Sequence, residues 1–233
     1  MSWAVLCDFD HTVTAEDVTD TLLEKHALPE WLAIEDEWKK GHIGSRVCMQ
    51  RQLALLRATP AQVDALADTI HVDPHFKSFA SLCERNDVPL IVVSDGLDYV
   101  IRHILKREGL GHLNVIASRL THLGDDRWEL TSPYANAGCL SQATTCKCAM
   151  AQQVRNLTDG RIFYIGDGRS DFCVSMEEAD FILAKDSLLT YCKQQELPHQ
   201  SFTNFAQAAA ILERTLEQSG LGTPHFTEEP IYA

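Results

Sequence analysis

Short apolar runs alternate along this chain with longer stretches in which apolar residues recur every three or four positions. The runs Ala4–Cys7, Leu90–Val93, Asn114–Ala117, Ile162–Ile165 and Phe181–Ala184 read as buried strands. Between them, Leu97–Arg107, Lys147–Asn156 and Asp171–Glu178 carry helical spacing. Phe205, Ala208, Ala209, Leu212 and Leu216 mark a last long helix. Strands alternating with amphipathic helices predict an α/β fold built on a Rossmann-like parallel sheet.

Residues 15–73 break this alternation, with several helical patterns and no convincing strand. Thr14 with Asp17 reads as a helix N-cap and its acidic partner, and Val18, Leu22 and Leu23 follow on one face. Thr59-Pro60-Ala61-Gln62 is a second helix start, with the cap, then proline at the first helical position, then glutamine. Asp73-Pro74 is a third, opening the helix that returns to the core. The predicted organisation is a core of residues 1–14 and 74–220, an inserted helical cap over 15–73, and a tail over 221–233. Trp31 and Trp38 share one helical face and are expected inside the cap. Arg119–Leu123 and Arg127–Leu130 flank Gly124-Asp125-Asp126, which predicts a small β-hairpin within Ser118–Thr131. The tail from Gly220, rich in Gly, Pro and Thr, is expected either to be flexible or to dock on a neighbour, which leaves a homodimer open.

The chain has 233 residues, 45% of them hydrophobic, which suffices for one α/β domain and a smaller insert. No apolar run approaches the roughly 20 residues that span a bilayer. No secretory signal is recognised at the N-terminus, so a cytoplasmic location is expected. A formal net charge of −13 argues against nucleic acid and anionic membrane surfaces as partners. A phosphorylated small molecule stays compatible, because a metal ion and a lysine can reverse the sign within one cleft. Eight cysteines without an export signal read as reduced thiols. Cys139, Cys146 and Cys148 lie close together; three thiols could hold zinc, although this spacing has no obvious fourth ligand.

The chemistry concentrates at predicted strand ends. Val5–Thr14 reads VLCDFDHTVT, a buried strand that runs into Asp8, Asp10 and Thr12. Ligands of open parallel sheets bind beyond the carboxyl ends of strands. Two acids one residue apart repel each other unless a cation or a shared proton relieves them. One can then act as nucleophile while the other passes a proton. A second strand ends in Ser94-Asp95-Gly96, where a hydroxyl and backbone N–H groups can hold a phosphate oxygen. Lys147 opens a helix, and Ile165-Gly166-Asp167-Gly168-Arg169-Ser170-Asp171 carries two further acids beyond a strand. Carboxylates of this kind supply the oxygen ligands that magnesium prefers.

The D-x-D-x-T opening, the strand–Ser–Gly turn, the lysine and the G-D-x-x-x-D ending stand in the order of the haloacid dehalogenase-like (HAD) phosphatases, and the sequence resembles that family from about Ala4 to at least Leu183. The resemblance implies a magnesium-dependent phosphomonoester hydrolase with an aspartyl-phosphate intermediate. It makes Asp8 the nucleophile and Asp10 the general acid and base. Ser94, Asp95, Gly96 and Lys147 would bind phosphate. Asp8, the Asp10 carbonyl, Asp167 and Asp171 would hold Mg2+, with Asp171 bound directly or through a water. Thr12 would support by hydrogen bonding. His11 stands where relatives often have Gly or Ser, and its role is open. An insert between the first and second motifs fits a cap that shuts out water.

Two branches compete for the substrate. Phosphoserine phosphatases use an acid near Asp17 and a cap arginine; counting back from Leu55-Leu56, that arginine position falls on Gln50, with Arg46 and Arg51 out of line. The 2-hydroxy-3-keto-5-methylthiopentenyl-1-phosphate phosphatases of methionine salvage resemble the chain more broadly. Pro29-Glu30-Trp31, Cys146-Lys147-Cys148 and Ala184–Leu189 carry that likeness. Asp17 either faces substrate or caps a helix; Lys185 either touches substrate or is surface charge. A phosphomutase and a non-catalytic phosphate-binding regulator are the readings from other classes.

Overall fold

The computed structural model describes residues 2–218; the tail expected over 221–233 lies outside them. Strand β1 (Trp3–Cys7) is followed by four helices, α1 (Val18–His26), α2 (Trp31–Lys39), α3 (Ser45–Leu53) and α4 (Pro60–Ala67). Then come α5 (Phe76–Arg85), β2 (Leu90–Leu97), α6 (Asp98–Arg107), and the hairpin β3 (Asn114–Gly124) and β4 (Arg127–Thr131). The second half holds α7 (Lys147–Thr158), β5 (Arg161–Gly166), a 3-10 turn (Arg169–Asp171) and α8 (Phe172–Glu177). It closes with β6 (Phe181–Ala184), α9 (Asp186–Gln194), β7 (His199–Ser201) and α10 (Phe205–Gln218).

The strands form one seven-stranded sheet in the order β4-β3-β2-β1-β5-β6-β7. Every pairing is parallel except β3 with β4. β1 is buried along its whole length because it lies between β2 and β5 with both faces covered. Its side chains alternate. Trp3, Val5 and Cys7 join the larger core, while Ala4 and Leu6 pack with Ala151, Val154 and Val174 on the other side. Cys7 pairs with Val92 on one side and Ile165 on the other, so the three chemically rich segments leave the sheet at one level.

The four helices after β1 sit above this edge. The capping box at Thr59 and Gln62, with Pro60 next to the cap, forms as the sequence predicts. The helix start at Thr14 does not. Asp17 is the N-cap of α1, accepting from Asp20 N at 2.8 Å, while the Thr14 hydroxyl bonds back to Phe9 and Glu16 carbonyls. Asp73-Pro74 precedes rather than caps α5, which starts at Phe76; the Asp73 carboxylate accepts from His75 N and from Phe205 N. Trp31 and Trp38 are half-buried, and the Trp38 indole donates to Ser45 across α2 and α3.

The hairpin forms where expected, but β3 is continuous from Asn114 because it pairs first with β2 and then with β4. Its Trp128 indole donates to Ala58 O at 2.7 Å, and Ala58 N donates to Asp126 O, so the hairpin is tied to the segment between α3 and α4. Tyr99 donates to Asp64, His103 lies against Asp64 and Asp68, and Arg107 donates to the Ala67 and Ile70 carbonyls, which fixes α4 to α6. The helix expected over Asp171–Glu178 begins as a 3-10 turn and becomes α-helical only at Phe172. Among the described residues, no helix is long and apolar enough to cross a membrane.

Candidate active site

Asp8 leaves β1 with its N–H bonded to Ile165 O at 2.9 Å, which holds the first motif against β5. Its carboxylate accepts from Phe9 N at 2.8 Å through Oδ1 and lies 2.9 Å from Lys147 Nζ through Oδ2. The chain then turns tightly, with the N–H groups of Thr12, Val13 and Thr14 all directed at Phe9 O. The turn places His11 at φ 54°, a left-handed conformation that histidine tolerates better than most side chains. Glycine would meet the same need without strain. Thr12 donates to Asp167 Oδ1 at 2.7 Å and so joins the first and last motifs.

Lys147 is the cation at the centre. At the first position of α7, and only 4% exposed, its Nζ reaches Asp8, Ser170 Oγ at 2.9 Å and Asp171 Oδ1 at 2.6 Å. Burial alone would lower its affinity for a proton; Asp171, Asp8 and Asp95 around it outweigh that and hold it charged well above the usual lysine range.

Asp171 is fully buried and accepts from four donors. Oδ1 takes Lys147 and the Tyr164 hydroxyl at 2.5 Å, and Oδ2 takes Asp167 N at 3.0 Å and Gly168 N at 2.9 Å. Asp171 thus shapes the Gly166–Asp171 loop and fixes Lys147. Sequence reasoning missed Tyr164. Its signal was a hydroxyl on an otherwise apolar buried strand, where such a group needs a partner.

Asp10 is tied to the cap side of the site. Its Oδ1 accepts from Val18 N at 2.9 Å at the start of α1, and a Cβ built on Gly96 would lie 2.6 Å from Oδ2. Ser94, buried, accepts from Gly96 N at 2.9 Å and keeps its hydroxyl hydrogen to donate. Ser94, Asp95 and Gly96 lie within β2 rather than in a turn after it. The strand runs to Leu97, with its pairing to β3 irregular between Val93 and Leu97. The Asp95 carboxylate accepts from Thr144 Oγ1 and Thr145 N, both at 2.8 Å, just before Lys147. It thereby anchors the segment that delivers the lysine.

Burial, with Lys147 opposing it and Asp171 and Asp167 adding to it, pushes the Asp8 carboxyl well above the usual carboxylate range. Burial and then the neighbouring Asp17 do the same to Asp10, and burial and then Asp171 raise Asp167. Oxygens of Asp8, Asp167 and Asp171 lie within 4.8 Å of one another, the group of acidic, histidine or cysteine ligands that converges among the described residues. Cys139, Cys146 and Cys148 form no such group there. Asp17 caps α1, where its carboxylate accepts from Asp20 N. Lys185 is half-buried, its Nζ 3.5 Å from Thr12 O and 5.6 Å from the Phe202 ring centre, and so turns toward the first motif rather than outward. A hollow of about 460 Å3 lies elsewhere, between α3 and the hairpin, beside Gln50, Arg57, Arg127 and Trp128.

The chain is similar to known proteins. The chain is 29% identical over 213 residues to a 2-hydroxy-3-keto-5-methylthiopentenyl-1-phosphate phosphatase of Geobacillus thermodenitrificans, covering 90% of this chain and 95% of the relative. It is 28% identical over 228 residues to a polyol phosphate phosphatase of Saccharomyces cerevisiae, covering 91% and 93%. A substrate-bound phosphoserine phosphatase superposes with a TM-score of 0.67 at 18% identity, covering 92% of this chain and 98% of that one. All three of these proteins are phosphatases by name. The model of the haloacid dehalogenase-like hydrolases matches residues 5–175, a span that contains Asp8, Asp10, Ser94, Lys147, Asp167 and Asp171, and the chain belongs to that family.

Proposed function

We propose that the protein hydrolyses a small phosphorylated metabolite through an aspartyl-phosphate at Asp8, with magnesium as cofactor. The observation that carries this reading is Lys147 Nζ at 2.9 Å from Asp8 Oδ2, beside a converging trio of carboxylates. Asp8 attacks phosphorus in line with the leaving oxygen. The Asp8 oxygen that faces Lys147 keeps its charge compensated, which leaves the carboxylate oriented for attack. Asp10, whose carboxyl is pushed above the usual carboxylate range by burial and the neighbouring Asp17, protonates the leaving oxygen. The same carboxylate then takes a proton from the water that opens the acyl phosphate. Ser94 and the N–H groups around Gly96 hold non-bridging phosphate oxygens.

The donor set fits magnesium: hard carboxylate oxygens of three aspartates, Asp8, Asp167 and Asp171, converge beside one ammonium, and the excess negative charge calls for a divalent cation. Asp8, the Asp10 carbonyl and Asp167 would hold it, with Asp171 behind them. When bound it would neutralise charge on the transferring phosphoryl group.

For the substrate we favour an ester like that of the methionine-salvage relatives, which match this chain along nearly their whole length. The likeness to phosphoserine phosphatases supports the fold alone, and counting back from Leu55-Leu56 puts Gln50 where a cap arginine is expected in that branch. Asp17, at the N-cap of α1, and Lys185, beside Thr12 O, are the side chains we assign to substrate discrimination. We expect the enzyme to work in the cytoplasm, without nucleic acid or membrane partners. The test is phosphate release from p-nitrophenyl phosphate with and without Mg2+, followed by a panel containing 2-hydroxy-3-keto-5-methylthiopentenyl-1-phosphate, polyol phosphates and phosphoserine. No release from any of them with Mg2+ would refute the reading. Release of phosphate from phosphoserine ahead of the others would overturn the substrate assignment.

A further inference from the structure

α3 starts without a capping side chain. Its N-cap is Gly44, and no side chain of that residue can accept from the first turn. The N–H groups of a first turn have no partner within their own helix. Here the Arg46 N–H is taken by a distant segment, donating to the Gln142 carbonyl at 2.9 Å. Gln142 lies between β4 and α7 at φ 48°. Glutamine meets a steric cost in that left-handed conformation, and glycine does not. The side chain is nevertheless kept there, and it rests on Gly44. A Cβ built on Gly44 would lie 2.8 Å from Gln142 Cβ and 2.9 Å from Cδ. Gly44 itself has φ −80° and ψ 164°, which any residue adopts, so close approach rather than conformation requires glycine at this position. About one turn further along α3, Met49 Sδ lies 3.9 Å from Thr144 Oγ1.

From Gln142 the chain runs to the lysine without slack. Ala143, Thr144, Thr145, Cys146 and Lys147 are all buried. Thr144 Oγ1 and Thr145 N donate to the Asp95 carboxylate, and Cys146 N donates to Tyr134 O at 2.9 Å. A close-packed backbone pinned in this way passes a displacement on rather than absorbing it.

We propose that Gln142 is a positioning residue for Lys147. Its contacts with Gly44 and with Arg46 N let α3 set where Thr144 and Thr145 grip Asp95, and so where Lys147 meets Asp8. The lysine is aligned only while α3 is seated on Gln142, so turnover follows the seating of the helices inserted after β1. The contact stands apart from the hydrolase reading; its effect on turnover rests on that reading.

The test compares the full-length protein with Gly44→Ala, Gln142→Gly and the double variant. Gly44→Ala keeps an allowed backbone and drives a methyl into Gln142, whose Cβ cannot rotate away. Its kcat on p-nitrophenyl phosphate with Mg2+ should fall about tenfold with KM within about twofold, because a small misplacement beside the nucleophile acts on the chemical step. Gln142→Gly should lose about threefold in kcat. The double variant removes the collision and should be no slower than Gln142→Gly alone. Hydrogen exchange read by mass spectrometry should show the peptide holding Thr145 and Cys146 exchanging about tenfold faster in both single variants. A raised KM at unchanged kcat in Gly44→Ala would overturn the link to Lys147. A double variant as slow as Gly44→Ala would overturn Gln142 as the route, and so would wild-type exchange at Thr145 and Cys146. Should Gly44→Ala fail to fold, Gln142→Gly decides, and wild-type kcat and exchange in that variant would overturn the proposal. Should the wild-type protein release no phosphate at all, the hydrolase reading fails, and the exchange rates still decide whether α3 holds the segment before Lys147.

Discussion

The Tyr164 hydroxyl donates to Asp171 Oδ1 at 2.5 Å, on the oxygen that also receives Lys147. Both residues are fully buried, so no water can take the place of the phenol. Tyr164→Phe removes one donor to a charged carboxylate, a change of about 1.5–3 kcal/mol. We expect a folded protein with a lower melting temperature and reduced turnover at nearly unchanged KM, because Lys147 loses part of its support while substrate contacts stay in place. Melting curves and Michaelis–Menten kinetics on p-nitrophenyl phosphate check this; wild-type turnover would exclude the positioning role.

Asp8→Asn keeps the shape of the side chain and removes the nucleophilic oxygen. Turnover should drop by roughly a thousandfold or more. The far-UV circular dichroism should match the wild type. Substantial residual hydrolysis in a folded protein would remove Asp8 from the nucleophile position.

Lys147→Met replaces a buried ammonium with an apolar side chain of similar length. It strands Asp8 and Asp171 against each other without their shared counter-charge. Breaking a buried pair from one side costs about 3–5 kcal/mol. Denaturant titration should show a loss of that size, together with abolished hydrolysis. The double variant with Asp171→Asn should recover part of the stability and none of the activity.

Gly96→Ala tests close approach rather than backbone conformation. The new methyl would sit 2.6 Å from Asp10 Oδ2 and 3.1 Å from Ser94 Oγ, so the Asp10 carboxylate must swing aside. An ångström-scale displacement of a proton-transfer group is expected to lower kcat by about a hundredfold. Stopped-flow turnover beside a crystal structure of the variant would separate this effect from misfolding.

Stability of the metal-free protein should fall as pH rises. Burial holds Asp8, Asp10 and Asp167 above the ordinary carboxyl value of 3.8, so the folded state binds more protons than the unfolded chain above that pH. Their favourable contribution is complete below 3.8 and is lost as pH climbs through the raised values. Melting temperatures in EDTA should therefore decline as pH rises above 3.8, and magnesium should flatten the decline. Identical curves with and without magnesium would count against metal binding at these aspartates.

Much of this architecture was readable in advance where one signal dominated. The five core strands announced themselves as apolar runs because both faces of a parallel sheet are covered. The Thr59–Gln62 helix start was legible because its capping box is purely local. What escaped depended on distant partners. β7 is three polar residues, His199-Gln200-Ser201, defined only by pairing with β6. The helical pattern of Asp186–Gln194 went unread because a likeness, not a periodicity, drew attention to that stretch. Thr14 lost the capping role to Asp17 because the turn around Phe9 O occupies its hydroxyl. The order of Asp8, Ser94, Lys147 and Asp167 along the chain was visible. That Asp171 would receive four donors, and Asp95 would grip Thr144 and Thr145, required knowing what folds back onto them.

The chain leaves and rejoins the sheet layer through a pair of crossings that touch. Thr14 bridges Val72, Ala15 N donates to His71 O, and Asp73 N donates to Val13 O. The segment from Glu16 to Ile70 therefore enters and leaves the sheet layer at one stitched crossing, with further ties to α6 and to the hairpin. Such a graft can be lengthened, trimmed or exchanged in evolution without rethreading the catalytic layer, so new substrates become reachable while the phosphoryl chemistry stays as it is.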